Sequence, residues 1–234
     1  MLEAFERQSL IIGEDATKKL ACSTVALFGV GGVGSYAAEA LARCGVGKIV
    51  LIDHDTVSKS NINRQLCALT STVGRLKVDI VAERLRDINP DAVIETRAEF
   101  FLPENADSFD FESYDFVIDA IDTVSAKVEI AVRCASLSVP MISSMGTGNK
   151  LDPTALRISD LAATSGCPLA RVMRRELKKR GIVHLPVVYS EEAPLSPLWD
   201  ARSDSGKPTP GSVAFVPSVA GLLAASEAIK HLIR

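Results

Sequence analysis

The chain contains the stretch Thr24-Val25-Ala26-Leu27-Phe28-Gly29-Val30-Gly31-Gly32-Val33-Gly34, in which a short apolar run passes into four closely spaced glycines. Such a run predicts a buried strand, and the helix-forming residues 35–44 that follow predict a helix. Glycines between a strand and a helix let the backbone approach a phosphate, and the free N–H groups at the helix start attract its charge. The stretch therefore predicts a nucleotide-binding turn.

Predicted strands and helices alternate along the next hundred residues or so. The strands lie at residues 48–52, 92–96, 115–118 and 139–143, and the helices at 73–88 and 124–138. This alternation predicts an α/β, Rossmann-like fold, with a doubly wound, mainly parallel sheet and helices on both faces. A less regular C-terminal extension, with strands at 156–161 and 183–189 and helices at 167–180 and 213–232, completes the single domain expected over residues 1–234.

Residues 190–211 interrupt this extension. They contain four prolines among Ser, Asp and Lys residues, which predicts a long mobile loop. Two interpretations stay open, a lid beside an active site and a plain surface excursion.

The composition is that of a globular protein and limits the function. Hydrophobic residues make up 47% and charged residues 24%, which excludes a disordered chain. The net charge is −3, so any contact with a nucleic acid requires a local basic patch. Five cysteines without a C-x-x-C pair argue against a disulfide framework and a structural zinc site. The N-terminus has no apolar run typical of a secretory signal, so we expect a cytoplasmic protein.

Asp53 directly follows the predicted strand at residues 48–52, where a carboxylate can bind both ribose hydroxyls of a nucleotide. Together with the glycine turn, this position predicts a nucleotide site but does not separate NAD from ATP. An NAD-dependent oxidoreductase fits the sequence up to this point.

Polar and cationic residues further along the chain favour ATP. Asn61 and Arg64 lie in the segment after the second strand. Lys77 lies on the next predicted helix, and Asp122 follows the fourth strand. Attack on the α-phosphate of a triphosphate develops charge that Arg and Lys can stabilise, and an aspartate at the same sheet edge can hold Mg²⁺. The combination favours a nucleotidyl-transfer site.

These residues belong to a longer set of motifs that resembles the ubiquitin-activating-like superfamily of adenylating enzymes, which includes the molybdopterin- and thiamine-biosynthesis activators. The matching pieces cover roughly the first 150 residues in order. They are Arg7-Gln8, residues 29–34, Asp53-His54-Asp55, Asn61-Ile62-Asn63-Arg64-Gln65, Lys77, Ile88-Asn89-Pro90 and Asp119-Ala120-Ile121-Asp122.

The resemblance implies ATP as the nucleotide, Mg²⁺ held by Asp122, and a homodimer in which Arg7 reaches into the site of the partner subunit. It implies catalytic roles for Arg7, Asn61, Arg64, Lys77 and Asp122. It also implies nucleotide binding by Gly29, Gly31, Gly32, Gly34, Asp53, Asp55, Asn61, Arg64, Gln65, Lys77 and Asp122.

The C-terminal part favours one branch of the superfamily. The pieces Ile158-Ser159-Asp160-Leu161-Ala162 and Pro168-Leu169-Ala170, residues 187–192 and the terminal helix are similar to tRNA threonylcarbamoyladenosine dehydratases. These enzymes use ATP to cyclise the threonylcarbamoyl side chain on adenosine 37 of tRNA into a hydantoin- or oxazolone-type ring. The resemblance implies tRNA as partner, and a monovalent cation and sulfur-transfer partner proteins are compatible with it.

Three alternatives remain. An activator of a ubiquitin-like sulfur-carrier protein is disfavoured because the two zinc C-x-x-C pairs usual in such enzymes are absent from this sequence. An NAD-dependent oxidoreductase has no general need for Asn61, Arg64 and Lys77. A non-catalytic scaffold that senses nucleotide would bind ATP without turning it over.

Cations on a later helix are candidate RNA contacts. Arg171, Arg174, Arg175 and Lys178 share one face of the predicted helix at 167–180, and such a stripe can follow RNA phosphates in an acidic protein. A solvated helix face is the alternative. Cys167 precedes this helix and is interpreted as a structural thiol, with a catalytic thiolate as the alternative.

Overall fold

The computed structural model describes residues 2–199, 206 and 209–234, and it contains one seven-stranded sheet. The sheet order is β3-β2-β1-β4-β5-β7-β6. All neighbouring strands pair in parallel except β6 and β7, which are antiparallel. The strands are β1 (Thr24–Phe28), β2 (Lys48–Ile52), β3 (Val93–Arg97), β4 (Phe116–Asp119), β5 (Met141–Ser144), β6 (Leu156–Asp160) and β7 (Pro186–Ser190).

Seven α-helices accompany this sheet within the described ranges, and they cover both of its faces. They are α1 (Leu2–Ile12), α2 (Glu14–Ala21), α3 (Gly34–Arg43), α4 (Lys77–Ile88), α5 (Val124–Leu137), α6 (Pro168–Lys178) and α7 (Phe215–Leu232). Buried side chains of α3, α4 and α7 form one hydrophobic core with the sheet, and those of α5 and α6 form a second core on the opposite face. The predicted Rossmann-like, doubly wound fold is therefore confirmed.

The helix predicted at residues 73–88 begins at Lys77 instead. Residues 75–77 pair with residues 55–57, because Val57 N donates to the Arg75 carbonyl at 2.9 Å and Lys77 N donates to the Asp55 carbonyl at 3.0 Å. This pairing holds Leu76 in an extended conformation, so the helix cannot start earlier. It also places Lys77 beside Asp55 at the carboxyl edge of the sheet.

Other differences from the predicted elements are local. Helices α1 and α2 precede β1 and were not predicted, and the orientation of β6 was not predicted either. Strand β7 begins at Pro186 rather than at residue 183, and β5 begins at Met141, after Pro140. Of the loop predicted at 190–211, Ser190 ends β7, and residues 191–199, 206 and 209–211 form no helix or strand. The remainder lies outside the described residues.

Within the described residues, the helices are too short or too polar to cross a membrane.

Candidate nucleotide-binding site

A cavity of about 360 Å³ opens at the carboxyl ends of β1, β2 and β4. The strand order reverses around β1, with β2 and β4 on its two sides, and open α/β sheets bind ligands at such a point. The structure brings most of the predicted site residues together in the lining: Gly29, Gly31, Gly32, Asp53, Asp55, Asn61, Arg64, Gln65, Lys77 and Asp122.

The four glycines of the turn divide into two kinds. Gly29 has φ +88°, and a Cβ there would lie 2.7 Å from the Ala120 carbonyl oxygen. A Cβ on Gly34 would lie 1.8 Å from the Gly29 oxygen, so this glycine allows the helix to pack and does not line the cavity. Gly31 and Gly32 do line it, and their backbone N–H groups donate to no residue that the structure describes. They are the donors available to a phosphate.

The Asp53 carboxylate is held in place by the backbone. One oxygen accepts a hydrogen bond from Val30 N at 2.7 Å, and the other accepts from Asp55 N at 2.8 Å. The bond to Val30 joins the end of β2 to the glycine turn. Asp53 is half-buried in the cavity wall, so its oxygens keep lone pairs for ribose hydroxyls.

Lys77 forms an ion pair in the cavity. Its ammonium lies 2.6 Å from an oxygen of Asp55, and the lysine side chain is 6% exposed while the aspartate is 48% exposed. The other Asp55 oxygen lies 3.2 Å from His54 Nε2. An entering phosphate can therefore compete with a half-exposed carboxylate for the lysine.

Asn61 and Arg64 lie on a short turn that follows Ser58. Asn61 Oδ1 accepts from Ser58 N at 3.0 Å, which leaves the amide N–H₂ for other partners. Arg64 donates from Nη1 to the Ser60 carbonyl at 2.8 Å and to Asn63 Oδ1 at 2.9 Å. Burial lowers the pKa of the Arg64 guanidinium, but its usual value is so high that the group stays charged.

Asp122 is exposed in the cavity, and its only described partner is Thr123 Oγ1 at 3.5 Å. A free carboxylate beside a phosphate site supplies the oxygen ligands that Mg²⁺ prefers, so the residues fit this metal. Asp53, His54 and Asp55 also bring ligand atoms within 4.8 Å of one another. In that group, however, the two carboxylates already serve backbone N–H groups and Lys77.

Sequence reasoning missed several lining residues. His54, which is absent from the predicted site residues, lines the cavity and packs edge-on against Phe100 with ring centroids 4.3 Å apart. Thr147 and Ser212 also line the cavity. Phe100 and Ser212 lie in irregular segments, where no periodic pattern marks a residue as part of a site.

Three predicted groups lie outside the cavity. Arg7 is exposed on α1, away from the lining of its own chain's site. The cations of α6 lie on another helix, and Arg174 is tied down there, donating to the Thr164 carbonyl at 2.7 Å. Arg171 and Lys178 are exposed. Cys167 is 3% exposed, as expected of a structural thiol.

The fold and cavity define a nucleotide-binding protein of the Rossmann-like type, with a phosphate turn flanked by cations and a free carboxylate. A family model described as "ThiF family" matches residues 5–234, and the chain belongs to that family.

Full-length relatives are similar to the chain. It is 44% identical over 244 residues to the tRNA threonylcarbamoyladenosine dehydratase of Bacillus subtilis, covering 100% of this chain and 96% of that protein. Among solved structures, the E. coli tRNA N6-threonylcarbamoyladenosine dehydratase TcdA in complex with AMP is 36% identical, with a TM-score of 0.90, and the match covers 99% of this chain and 94% of that one. The same enzyme in complex with ATP gives 35% identity, a TM-score of 0.90 and the same coverage.

Proposed function

We propose that this protein is an ATP-dependent tRNA threonylcarbamoyladenosine dehydratase. The observation that carries the proposal is the convergence of Asn61, Arg64, Lys77 and Asp122 on the phosphate turn of a cavity, in a chain similar over its whole length to enzymes of that name. A dinucleotide oxidoreductase has no general need for these groups at its phosphate turn. The arrangement therefore favours chemistry on a triphosphate.

In the first step, an oxygen of the substrate carboxylate attacks the α-phosphorus of ATP, and the bond to pyrophosphate breaks. Negative charge grows on the transferring and leaving phosphates. Arg64 and Lys77 stabilise this charge, and Asn61 offers its amide N–H₂ to a phosphate oxygen. Asp53 would bind the ribose hydroxyls and so hold the nucleotide in place beside the phosphate turn.

In the second step, a nitrogen of the ureido group attacks the activated carbonyl carbon, and the bond to AMP breaks. The nitrogen gives up its proton to solvent, and the carboxylate oxygen leaves on AMP, so the nucleoside loses one water. The nucleophile belongs to the substrate. This scheme requires no thiolate of the enzyme, and the burial of Cys167 is consistent with that.

Asp122 would hold Mg²⁺, because it is the lining carboxylate without a strong partner among the described residues. When bound, the metal would neutralise phosphate charge.

The proposal includes a homodimer. Arg7, Leu10 and Ile11 share one face of α1, and Leu10 and Ile11 are 84% and 86% exposed. Exposed apolar residues of this kind are typical of a surface that a partner covers. In such a dimer, Arg7 of one subunit would contribute to the site of the other.

The cations of α6 are the proposed tRNA contacts, and they differ in how exposed they are and in the partners they already have. Arg171 and Lys178 are exposed and available for phosphates. Arg175 pairs with Glu176 at 3.1 Å but is also largely exposed. Arg174 is the weakest candidate, since its guanidinium already binds backbone carbonyls.

The test incubates the protein with ATP, Mg²⁺ and tRNA that carries threonylcarbamoyladenosine. We expect AMP and pyrophosphate in equal amounts and a nucleoside that has lost one water. No reaction with this tRNA, together with adenylation of a carrier protein's C-terminal glycine, would overturn the proposal.

A further inference from the structure

A buried ion pair lies beneath the cavity, outside the predicted site residues. The Lys127 ammonium is 2.8 Å from an oxygen of Asp119, and both side chains are 0% exposed. No other ion pair among the described residues has two fully buried partners. Since a buried ion pair adds little net stability compared with apolar residues of the same size, stability alone does not explain it.

Lys127 is also unfavourably placed for its own helix. It lies in the first turn of α5, where the helix dipole disfavours a cation. A lysine at this position must therefore be held by other contacts.

The ammonium joins three segments of the chain. Besides Asp119 at the end of β4, it donates to the Ile121 carbonyl at 3.1 Å and to the Ser144 carbonyl, at the end of β5, at 2.9 Å. An ammonium has three N–H donors, and all three are used. The network is fully satisfied on the aspartate side too, because Ser143 Oγ donates to Asp119 at 2.6 Å.

This network holds the peptide group that leads into Asp122. Ile121 N donates to Asp119 Oδ1 at 3.3 Å, and the Ile121 carbonyl accepts from Lys127. That carbonyl belongs to the planar peptide bond whose nitrogen is Asp122 N. Fixing the plane therefore fixes the direction in which Asp122 leaves the loop.

The same loop supports the phosphate turn. Ala120 N donates to the Phe28 carbonyl at 2.8 Å, directly before Gly29. The Ala120 oxygen and the Ile121 Cγ2 atom pack against Gly29 so closely that a Cβ there would lie 2.7 Å and 3.0 Å from them. A loop displaced by a fraction of an ångström would move both Asp122 and the glycine turn.

We propose that Lys127, with Asp119, is a positioning residue that sets Asp122 for Mg²⁺ on the nucleotide. The inference rests on the proposed function of Asp122. Lys127 touches neither substrate nor metal and acts through the Ile121–Asp122 peptide.

The test uses the double variant Lys127→Met with Asp119→Asn, which removes both charges and leaves no buried charge unpaired. The rate of AMP formation is measured against Mg²⁺ concentration with the modified tRNA. We expect a cooperatively melting protein whose half-saturating Mg²⁺ concentration rises about tenfold, as on loss of an outer-shell partner at a metal site. Ser143→Ala, which removes one bond to Asp119, should shift it about twofold in the same direction and serves if the double variant does not fold.

Asp122→Asn separates positioning from a general structural effect. If Lys127 acts through Asp122, its replacement should matter little once Asp122 is already changed. The triple variant should therefore be less than about twofold slower than Asp122→Asn alone. Ile130→Val, at a buried position of the same helix, is the matched control and should lower the Tm without changing the Mg²⁺ dependence.

Two results would overturn the inference: an unchanged Mg²⁺ dependence in the folded double variant, or effects that multiply fully with Asp122→Asn. An Asp122→Asn variant with ordinary Mg²⁺ dependence would instead refute the proposed role of Asp122.

Discussion

Lys77 and Lys127 are both buried at the carboxyl edge of the sheet, each against an aspartate, yet their surroundings differ. The partner of Lys77 is 48% exposed in the cavity, whereas the partner of Lys127 is 0% exposed. Lys77 can therefore exchange Asp55 for a phosphate, while all three N–H donors of Lys127 are used by partners inside the protein. The comparison separates a cation that binds from a cation that positions.

Lys77→Ala tests the binding cation and should have the largest effect. We expect AMP formation to fall about 1,000-fold, because a charge aimed at the phosphates is lost in the transition state. Steady-state kinetics with ATP and the modified tRNA measure it. Lys48→Ala, at the opposite end of β2 and paired with Glu95, is the control and should retain full activity. A Lys77→Ala rate within about threefold of the original protein would place the lysine outside the chemistry.

The two aspartates should respond very differently to the same change. Asp119→Asn leaves Lys127 as an uncompensated buried charge, so the free energy of unfolding should fall by about 3 kcal/mol or more. Asp55→Asn should cost less, about 1 kcal/mol, because Asp55 is 48% exposed and water screens the pair on that side. Urea unfolding of the two variants provides the values. Equal losses would remove the distinction between the two pairs.

Arg7→Ala tests whether the partner subunit supplies a third cation, besides Arg64 and Lys77, to the phosphate site. Loss of one charge at the phosphates should lower AMP formation about 100-fold. Mixing Arg7→Ala and Lys77→Ala subunits should recover about a quarter of the original rate, because half of the dimers are mixed and one of their two sites is intact. Mixtures without recovery, despite subunit exchange, would mean that Arg7 does not act across an interface.

The same distinction extends to α6, where Arg174 is held by carbonyls and Arg171 and Lys178 are exposed. Replacing Arg171 and Lys178 together by Ala should raise KM for tRNA about tenfold and reduce its salt dependence, with kcat little changed. Arg174→Met should instead lower the Tm. If the KM for tRNA is unchanged in the Arg171 and Lys178 double variant, the cations of α6 are a solvated helix face and not an RNA contact.

Much of this fold could be predicted because buried parallel strands appear as uninterrupted apolar runs. The sheet edge that carries the site could be predicted from the strand at Thr24–Phe28 and from the order of the glycines, Asp53 and Asn61 along the chain. The start of α4 could not be predicted, since it depends on pairing between residues 55–57 and 75–77.

The sequence predicted the charged residues that line the candidate site, but it did not predict the buried residues behind them. Asn61, Arg64, Lys77 and Asp122 signal a phosphate site by their residue types. Lys127 carries no such signal, because a lysine within a helical pattern is usually solvated. Its partners come from β4, β5 and the loop between β4 and α5, and only folding brings them together.

Transfer of a carboxylate oxygen tests the central claim most directly. The substrate is tRNA whose threonylcarbamoyl carboxylate carries a heavy isotope of oxygen, and the products are analysed by mass spectrometry. Adenylation predicts one heavy oxygen in AMP for each ring that closes. Heavy oxygen in inorganic phosphate, formed together with ADP, would contradict the account.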